Sequence, residues 1–208
     1  MNPMNSQLGI YGLSVAVAII FIGAGWYVWR HLSKTRHQRQ IHKVLESIGA
    51  KYLHDIILPD GIEGYTHIDY LLLAPNGVVV LDINFSEGHL FGGESIDQWT
   101  QVVNNKTYKF NNPLYNNQTK CQAVMWNVEN SLPENVNVDD SWETYGWVAF
   151  SSAGNFPKGS PNHVSMIKDL KSAFDQELNF SAPINESSRE IWDKLHDLSI
   201  ATRKEMEQ

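Results

Sequence analysis

Two aspartates in apolar surroundings are the residues of this sequence best suited to chemistry. Asp69 lies in the apolar run 67–74, and Asp82 lies in the apolar run 77–84. The segment Pro75-Asn76-Gly77 between them is typical of a tight hairpin turn, because Asn and Gly tolerate a positive φ. A carboxylate in a buried strand is costly unless it is paired, hydrogen-bonded or bound to a cation. Two of them on adjacent strands therefore predict a site that one metal ion can share.

The elements that must position these carboxylates follow from turn signals and apolar periodicity. Helical and strand patterns alternate, which predicts an α/β fold with a mixed central sheet flanked by helices. The predicted elements are a helix over 33–50, a strand over 52–58, the hairpin of 67–84, a glycine-rich connection over 85–94, a second hairpin over 98–110 that turns at Asn104-Asn105, a helix over 113–128, a strand over 145–150, and helices over 164–178 and 186–203.

The N-terminal part has the pattern of a membrane anchor. Residues 8–29 are 22 residues without charge, enough at about 1.5 Å per residue to cross a bilayer. Trp26, Tyr27 and Trp29 lie at the end of this run, as interfacial aromatic residues do. A signal peptide is the alternative, but its positive charge would precede the apolar run, and here the charge follows it. We expect one transmembrane helix with the N-terminus outside and the following domain cytoplasmic.

Charge is distributed unevenly along the 208 residues. Residues 1–45 carry five basic and no acidic residues, whereas residues 46–208 carry 11 basic residues against 23 acidic ones, a net charge of −12. An acidic domain disfavours a nucleic-acid partner, because binding to polyphosphates depends on basic contacts. The single cysteine, Cys121, excludes an internal disulfide bond.

A series of segments occurs along the chain in this order: Thr66-His67-Ile68-Asp69-Tyr70, Pro75 to Asn84, Gly88 to Gly93, Trp99, and Asn112-Pro113-Leu114. This series resembles the nuclease-related domain family, NERD. The resemblance covers about residues 38–130, and it implies a restriction-endonuclease-like fold with its PD-(D/E)xK motif.

The resemblance implies a catalytic role for three positions. Asp69 matches the first acid, Asp82 matches the second, and both would hold Mg²⁺ or Mn²⁺ as the cofactor. Asn84 stands where the family has a lysine, two residues after the second acid on the same strand face. An asparagine supplies no positive charge, so the resemblance implies that catalysis is impaired.

Three other residues are candidates to line the same cleft. Asn116 stands where the family tends to have a glutamine after Asn-Pro-Leu-x. Lys120, on the helix after Pro113, is the candidate to replace the missing lysine, although a surface lysine is the interpretation we favour. His67 shares a strand face with Asp69, although a simple hydrogen-bonded strand histidine is favoured for it.

These patterns predict the domain organisation and three competing functions. The chain is divided into a tail (1–7), a transmembrane helix (8–29), a basic juxtamembrane helix (30–50), a NERD-like core (51–152) and a C-terminal helical extension of that domain (153–208). The leading hypothesis is a degenerate nuclease domain that serves at the membrane as a binding or assembly module for an unknown protein partner. The alternatives are a divalent-metal-dependent nuclease and a cation-binding sensor.

Overall fold

The computed structural model describes residues 38–131, 141–151 and 153–207. The predicted transmembrane segment 8–29 lies outside these residues. Within them, no helix has the length and apolar character that a membrane span requires. Residues 38–48 form helix α1, inside the helix predicted over 33–50. The chain divides into two compact units, Met1–Lys43 and Val44–Gln208, and the sheets and remaining helices belong to the second.

A five-stranded mixed sheet carries both predicted aspartates. Its order is β1-β2-β3-β7-β9, in which β1, β2 and β3 are antiparallel and β3, β7 and β9 are parallel. The first six residues of β3 are buried, as expected for a β-branched run in the centre of a covered sheet. The strands are β1 (Tyr52–Pro59), β2 (Tyr65–Ala74), β3 (Gly77–Asn84), β7 (Glu143–Phe150) and β9 (Val164–Met166).

A second, four-stranded sheet has the order β6-β5-β4-β8. The predicted α/β fold with a mixed sheet flanked by helices is confirmed, but the structure divides the strands between two mixed sheets. The glycine-rich connection predicted over 85–94 contains strand β4, which pairs with β5 because Gly88 lets the carbonyl of Val102 approach closely. The strands are β4 (Gly88–Phe91), β5 (Gln98–Val103), β6 (Lys106–Asn111) and β8 (Gly154–Asn155).

Three further α-helices belong to the second unit, one between β6 and β7 and two after the last strand. Helix α2 (Pro113–Ser131) and helix α4 (Glu186–Met206) match the predicted helices, and Asn185 caps α4 by accepting a hydrogen bond from the Ser188 amide. The helix predicted over 164–178 is wrong in its first part, because Val164–Met166 pair with β7 as strand β9. Only Leu170–Glu177 form an α-helix, α3, after one 3-10 turn.

The main core lies between the five-stranded sheet and helices α2 and α4. Alternate residues of β3 point to this core. Helix α2 contributes apolar residues spaced three or four positions apart, which lie on the face of the helix that packs against the sheet. Burying each of these side chains stabilises the fold by about 1.5–3 kcal/mol. The core residues from these elements include Leu71, Val78, Val80, Val124, Val128, Ile191, Trp192 and Leu195.

Candidate functional site

Asp69 and Asp82 lie next to the last residue pair of the β2–β3 ladder, Tyr70 and Leu81. Continuing the register places the two aspartates opposite each other, on the sheet face that Leu71 shares. At this level the Asp69 side chain replaces a ladder hydrogen bond, since its Oδ2 accepts the backbone N–H of Ile83 at 3.0 Å. The hairpin thus brings the two carboxylates together, with that of Asp69 also fastening β2 to β3.

The Lys120 ammonium lies beside Asp82. Its Nζ is 2.7 Å from Asp82 Oδ1, and the two side chains are only 14% and 11% exposed. The interpretation of Lys120 as a surface lysine is therefore wrong. Lys120 shares the helical stripe of Val124 and Val128, four and eight residues later, so the same face of α2 that packs on the core delivers the ammonium to β3.

The environment of Asp82 acts on its pKa in opposing directions. Burial raises the pKa of the Asp82 carboxyl above its usual value, and the Lys120 ammonium opposes that rise. The negative charge of Asp69 raises the pKa of Asp82 further. The charged form of Asp82 therefore depends on a neighbouring cation for its stability. In this structure that cation is the ammonium of Lys120 on α2.

The buried side-chain amide of the site belongs to Asn117 and not to Asn116, the residue predicted from the sequence. Asn116 is exposed, whereas Asn117 is buried and its Nδ2 donates to the carbonyl oxygens of Val80 at 3.0 Å and Trp147 at 3.3 Å. The Asn117 side chain also lowers the pKa of Asp82. Sequence reasoning missed Asn117, although its helical spacing from Lys120 and Val124 was a usable signal.

Asn112 and Pro113 determine where α2 begins. The Oδ1 of Asn112 accepts the amide N–H of Leu114 at 3.0 Å, and its Nδ2 donates to the carbonyl oxygens of Gly93 and Glu94 at 3.2 and 3.1 Å. Pro113 occupies the first helical position, where its missing N–H costs nothing. The Asn-Pro-Leu segment therefore ties the start of α2 to the loop before β5 and sets which residues of α2 face Asp82.

His67 links Asp69 to a carboxylate that the sequence analysis did not identify. Its Nδ1 lies 3.5 Å from Asp69 Oδ1, and its Nε2 lies 2.6 Å from Asp55 Oδ1. Asp55 has a positive φ of 54°, and its carboxylate also lies 3.7 Å from Arg203 on α4. His67 is thus both a hydrogen-bonded strand histidine and a neighbour of the predicted site. No sequence pattern marked Asp55, because its role depends on a local backbone conformation.

Asn84, at the position of the family lysine, ends strand β3. Its Oδ1 accepts the backbone N–H of Ser86 at 2.9 Å, which forms a local turn. The Asn84 side chain therefore stabilises the turn between β3 and β4. The positive charge that the motif position lacks is present in this structure at Lys120.

The donor set fits a cation that needs few protein ligands. In the part of the chain that the structure describes, no group of three or more His, Cys, Asp and Glu side chains has the geometry to hold a metal ion. Mg²⁺ commonly takes one or two carboxylates and completes its shell with water and substrate phosphate. Asp69 and Asp82 can supply two such carboxylates, since each has lone pairs beyond the one bond to Ile83 or Lys120.

Two comparisons with known proteins returned matches. The family model described as the nuclease-related domain, NERD, matches residues 33–151, which contain both aspartates and Lys120. An uncharacterized protein of Bacillus anthracis is 28% identical over 99 residues, which are 46% of this chain and 47% of that relative. The match thus spans about half the length of the relative. No solved structure matches the chain.

Proposed function

Because the chain belongs to the nuclease-related domain family, we propose that it hydrolyses phosphodiester bonds of nucleic acid with the help of a divalent cation. The observation that carries the proposal is the Lys120 ammonium, buried at 2.7 Å from Asp82. The hypothesis of a degenerate domain rested on the missing lysine at position 84 together with the acidic charge balance of the domain. With an ammonium supplied from α2, the parts of a PD-(D/E)xK-like site are present: two acids and one lysine.

Each residue has a defined role in the proposed reaction. Asp69 and Asp82 would hold Mg²⁺ or Mn²⁺, and the cation, when bound, would polarise the phosphate and lower the pKa of a bound water. Lys120 donates to the phosphate oxygens on which negative charge develops, an interaction worth most in a partly buried site. Asn117 holds α2 against β3 and β7, so that this ammonium is positioned before substrate arrives. His67, which is hydrogen-bonded to Asp55 on β1, orients the Asp69 carboxylate.

A second candidate, the binding or assembly module, is favoured by the charge balance. Residues 46–208 carry a net charge of −12, which repels polyphosphate over most of the surface. In this alternative Lys120 only neutralises Asp82, because a buried carboxylate without a partner would be strongly destabilising. A protein that binds Mg²⁺ through Asp69 and Asp82 without cleaving would instead be the cation sensor.

Cleavage assays separate these functions. The full-length chain is incubated with single- and double-stranded DNA and RNA in Mg²⁺ or Mn²⁺, with EDTA as the metal-free control. We expect metal-dependent cleavage that falls by about 10²-fold or more in Asp69→Asn and in Asp82→Asn. Lys194→Gln, a change at an exposed lysine on α4, should keep wild-type activity. Absence of cleavage in the wild type would favour the binding module.

We also propose that residues 8–29 anchor the domain to a membrane with the domain on the cytoplasmic side. The uncharged 22-residue run and the basic residues after it support this. The protein should remain in the membrane fraction after a salt wash, and a reporter fused after Arg39 should register a cytoplasmic location. Recovery in the salt-washed soluble fraction would refute the anchor.

A further inference from the structure

Two half-exposed aromatic side chains lie beyond the end of β3. Phe85 directly follows Asn84, and Tyr108 projects from β6, and each is 51% exposed. The β5–β6 hairpin brings them to the same region. Tyr108 pairs with Gln101 across the hairpin, and the Nε2 of Gln101 donates to the carbonyl of Glu87, two residues after Phe85, at 2.9 Å.

The tip of this hairpin also packs against Gly88, in the segment that follows β3. Val103 lies so close to Gly88 that a Cβ at Gly88 would be 2.8 Å from its Cγ2. Lys106 pairs with Val103 and shares a strand face with Tyr108, two residues later. The face of the hairpin that carries Lys106 and Tyr108 thus approaches Glu87 and Gly88, which follow Phe85 in the chain, and Phe85, Lys106 and Tyr108 are together called here the hairpin surface.

The local charge of this region is opposite to that of the domain. Residues 98–128, which include the hairpin and most of α2, contain three lysines and no acidic residue. These lysines are Lys106 and Lys109 on the hairpin, both exposed, and Lys120 in the candidate site. The acidic body thus carries a basic stretch that leads along the chain from the hairpin surface to the helix of Lys120.

We propose that the hairpin surface binds single-stranded nucleic acid and passes it to the site, so that unpaired strands are the preferred substrate. Exposed aromatic rings stack on the faces of unpaired bases, while nearby lysines contact the backbone phosphates. A duplex hides its base faces, and it would meet only two hairpin lysines against a strongly acidic body. The inference rests on the proposed function, which supplies nucleic acid as the ligand class. It extends that function by proposing that the nucleic acid is single-stranded and by naming the residues that select single strands.

Binding measured without catalysis tests this inference. The full-length chain in EDTA is titrated against fluorescent oligothymidylate and oligouridylate of about 20 nucleotides and a duplex of the same length, followed by anisotropy. Single strands should bind more tightly than the duplex. Tyr108→Ala should weaken single-strand binding by about tenfold, and Tyr108→Phe should restore it, because the stacking face is kept. Lys106→Gln should flatten the dependence of log K on log salt by about 0.7.

A matched control is Tyr65→Ala at the start of β2, since Tyr65 is 49% exposed but lies outside the hairpin surface. Its single-strand affinity should equal that of the wild type. The inference is overturned if Tyr108→Ala binds as the wild type does, if Tyr65→Ala loses as much affinity, or if the duplex binds more tightly than the single strands. Because EDTA prevents metal-dependent cleavage, a chain that binds single strands but never cuts them refutes only the proposed hydrolysis.

Discussion

Asn117 on α2 lies so close to Gly146 on β7 that its side chain occupies the space of a side chain at position 146. A Cβ at Gly146 would be 2.2 Å from Asn117 Oδ1 and 3.1 Å from Cys121 Sγ. From this position Asn117 bonds to the carbonyls of both β3 and β7. The helix that supplies Lys120 is therefore seated on the sheet through an amide packed over a glycine.

Gly146→Ala should destabilise the protein and displace α2. The added methyl group forces the Asn117 amide away from its two carbonyl partners, which should lower the free energy of unfolding by about 1–3 kcal/mol in urea denaturation. The double variant with Asn117→Ala should be less destabilised than the sum of the single changes, because the clash is gone. Gly93→Ala is the control, since its nearest neighbour is the flexible Ile96 side chain at 3.3 Å. Equal losses in the two glycine variants would contradict this account of the contact.

Stability should fall with rising pH above the usual Asp pKa because of Asp82. Its folded-state pKa is raised by burial, so the folded protein holds this proton more tightly than the unfolded chain and loses that advantage as pH rises through the folded pKa. Urea denaturation across mildly acidic pH should show this decline, and Asp82→Asn should remove it. In Lys120→Met the decline should begin at the same pH but extend to higher pH, because the ammonium that lowers the folded-state pKa of Asp82 is lost. A decline that is unchanged in Asp82→Asn would refute the assignment.

Because of Asp55, the stability of the protein should fall as the pH is lowered in the acid range. The hydrogen bond from His67 lowers the pKa of the Asp55 carboxyl, so its contribution is present above the unfolded pKa and is lost as pH falls through the folded pKa. Asp55→Asn should therefore flatten the acid limb of the stability curve while tolerating the positive φ of 54°. Asp175→Asn, at an exposed position on α3, should leave the curve unchanged. An acid limb that is the same in Asp55→Asn and the wild type would contradict this prediction.

Local signals were enough to predict both hairpins and the two long helices. Asn104 and Asn105 have positive φ values of 50° and 62°, as the predicted turn requires. Pro113 begins α2 as predicted from its preference for the first turn. The turn prediction for residues 75–77 was wrong only for Gly77, which pairs with Ala74 as the first residue of β3, while Pro75 and Asn76 form the turn. A glycine is needed at position 77 because a Cβ would be 1.8 Å from the carbonyl oxygen of Glu143.

Features that depend on contacts between distant segments could not be predicted. Strands β4 and β9 have four and three residues, too few for a periodic pattern, and they exist because neighbouring strands pair with them. The approach of Lys120 to Asp82 joins residues 38 positions apart. It follows from the register of α2 on the sheet, which Asn112 and Asn117 determine through tertiary hydrogen bonds. The sequence analysis named Lys120 as a candidate replacement for the lysine missing at position 84, but it favoured a surface position for this residue because the contact with Asp82 depends on tertiary packing.

The cleavage rate of Lys120→Met, with and without Asn84→Lys, tests the central claim most directly. Full-length variants are compared in Mg²⁺ on a single-stranded oligonucleotide, with Lys194→Gln as the control. If Lys120 supplies the catalytic ammonium, Lys120→Met should lose about 10²–10³-fold in rate. Asn84→Lys in that background should recover part of it, because residue 84 lies on the strand face of Asp82. A Lys120→Met variant that cleaves at the wild-type rate would contradict the claim.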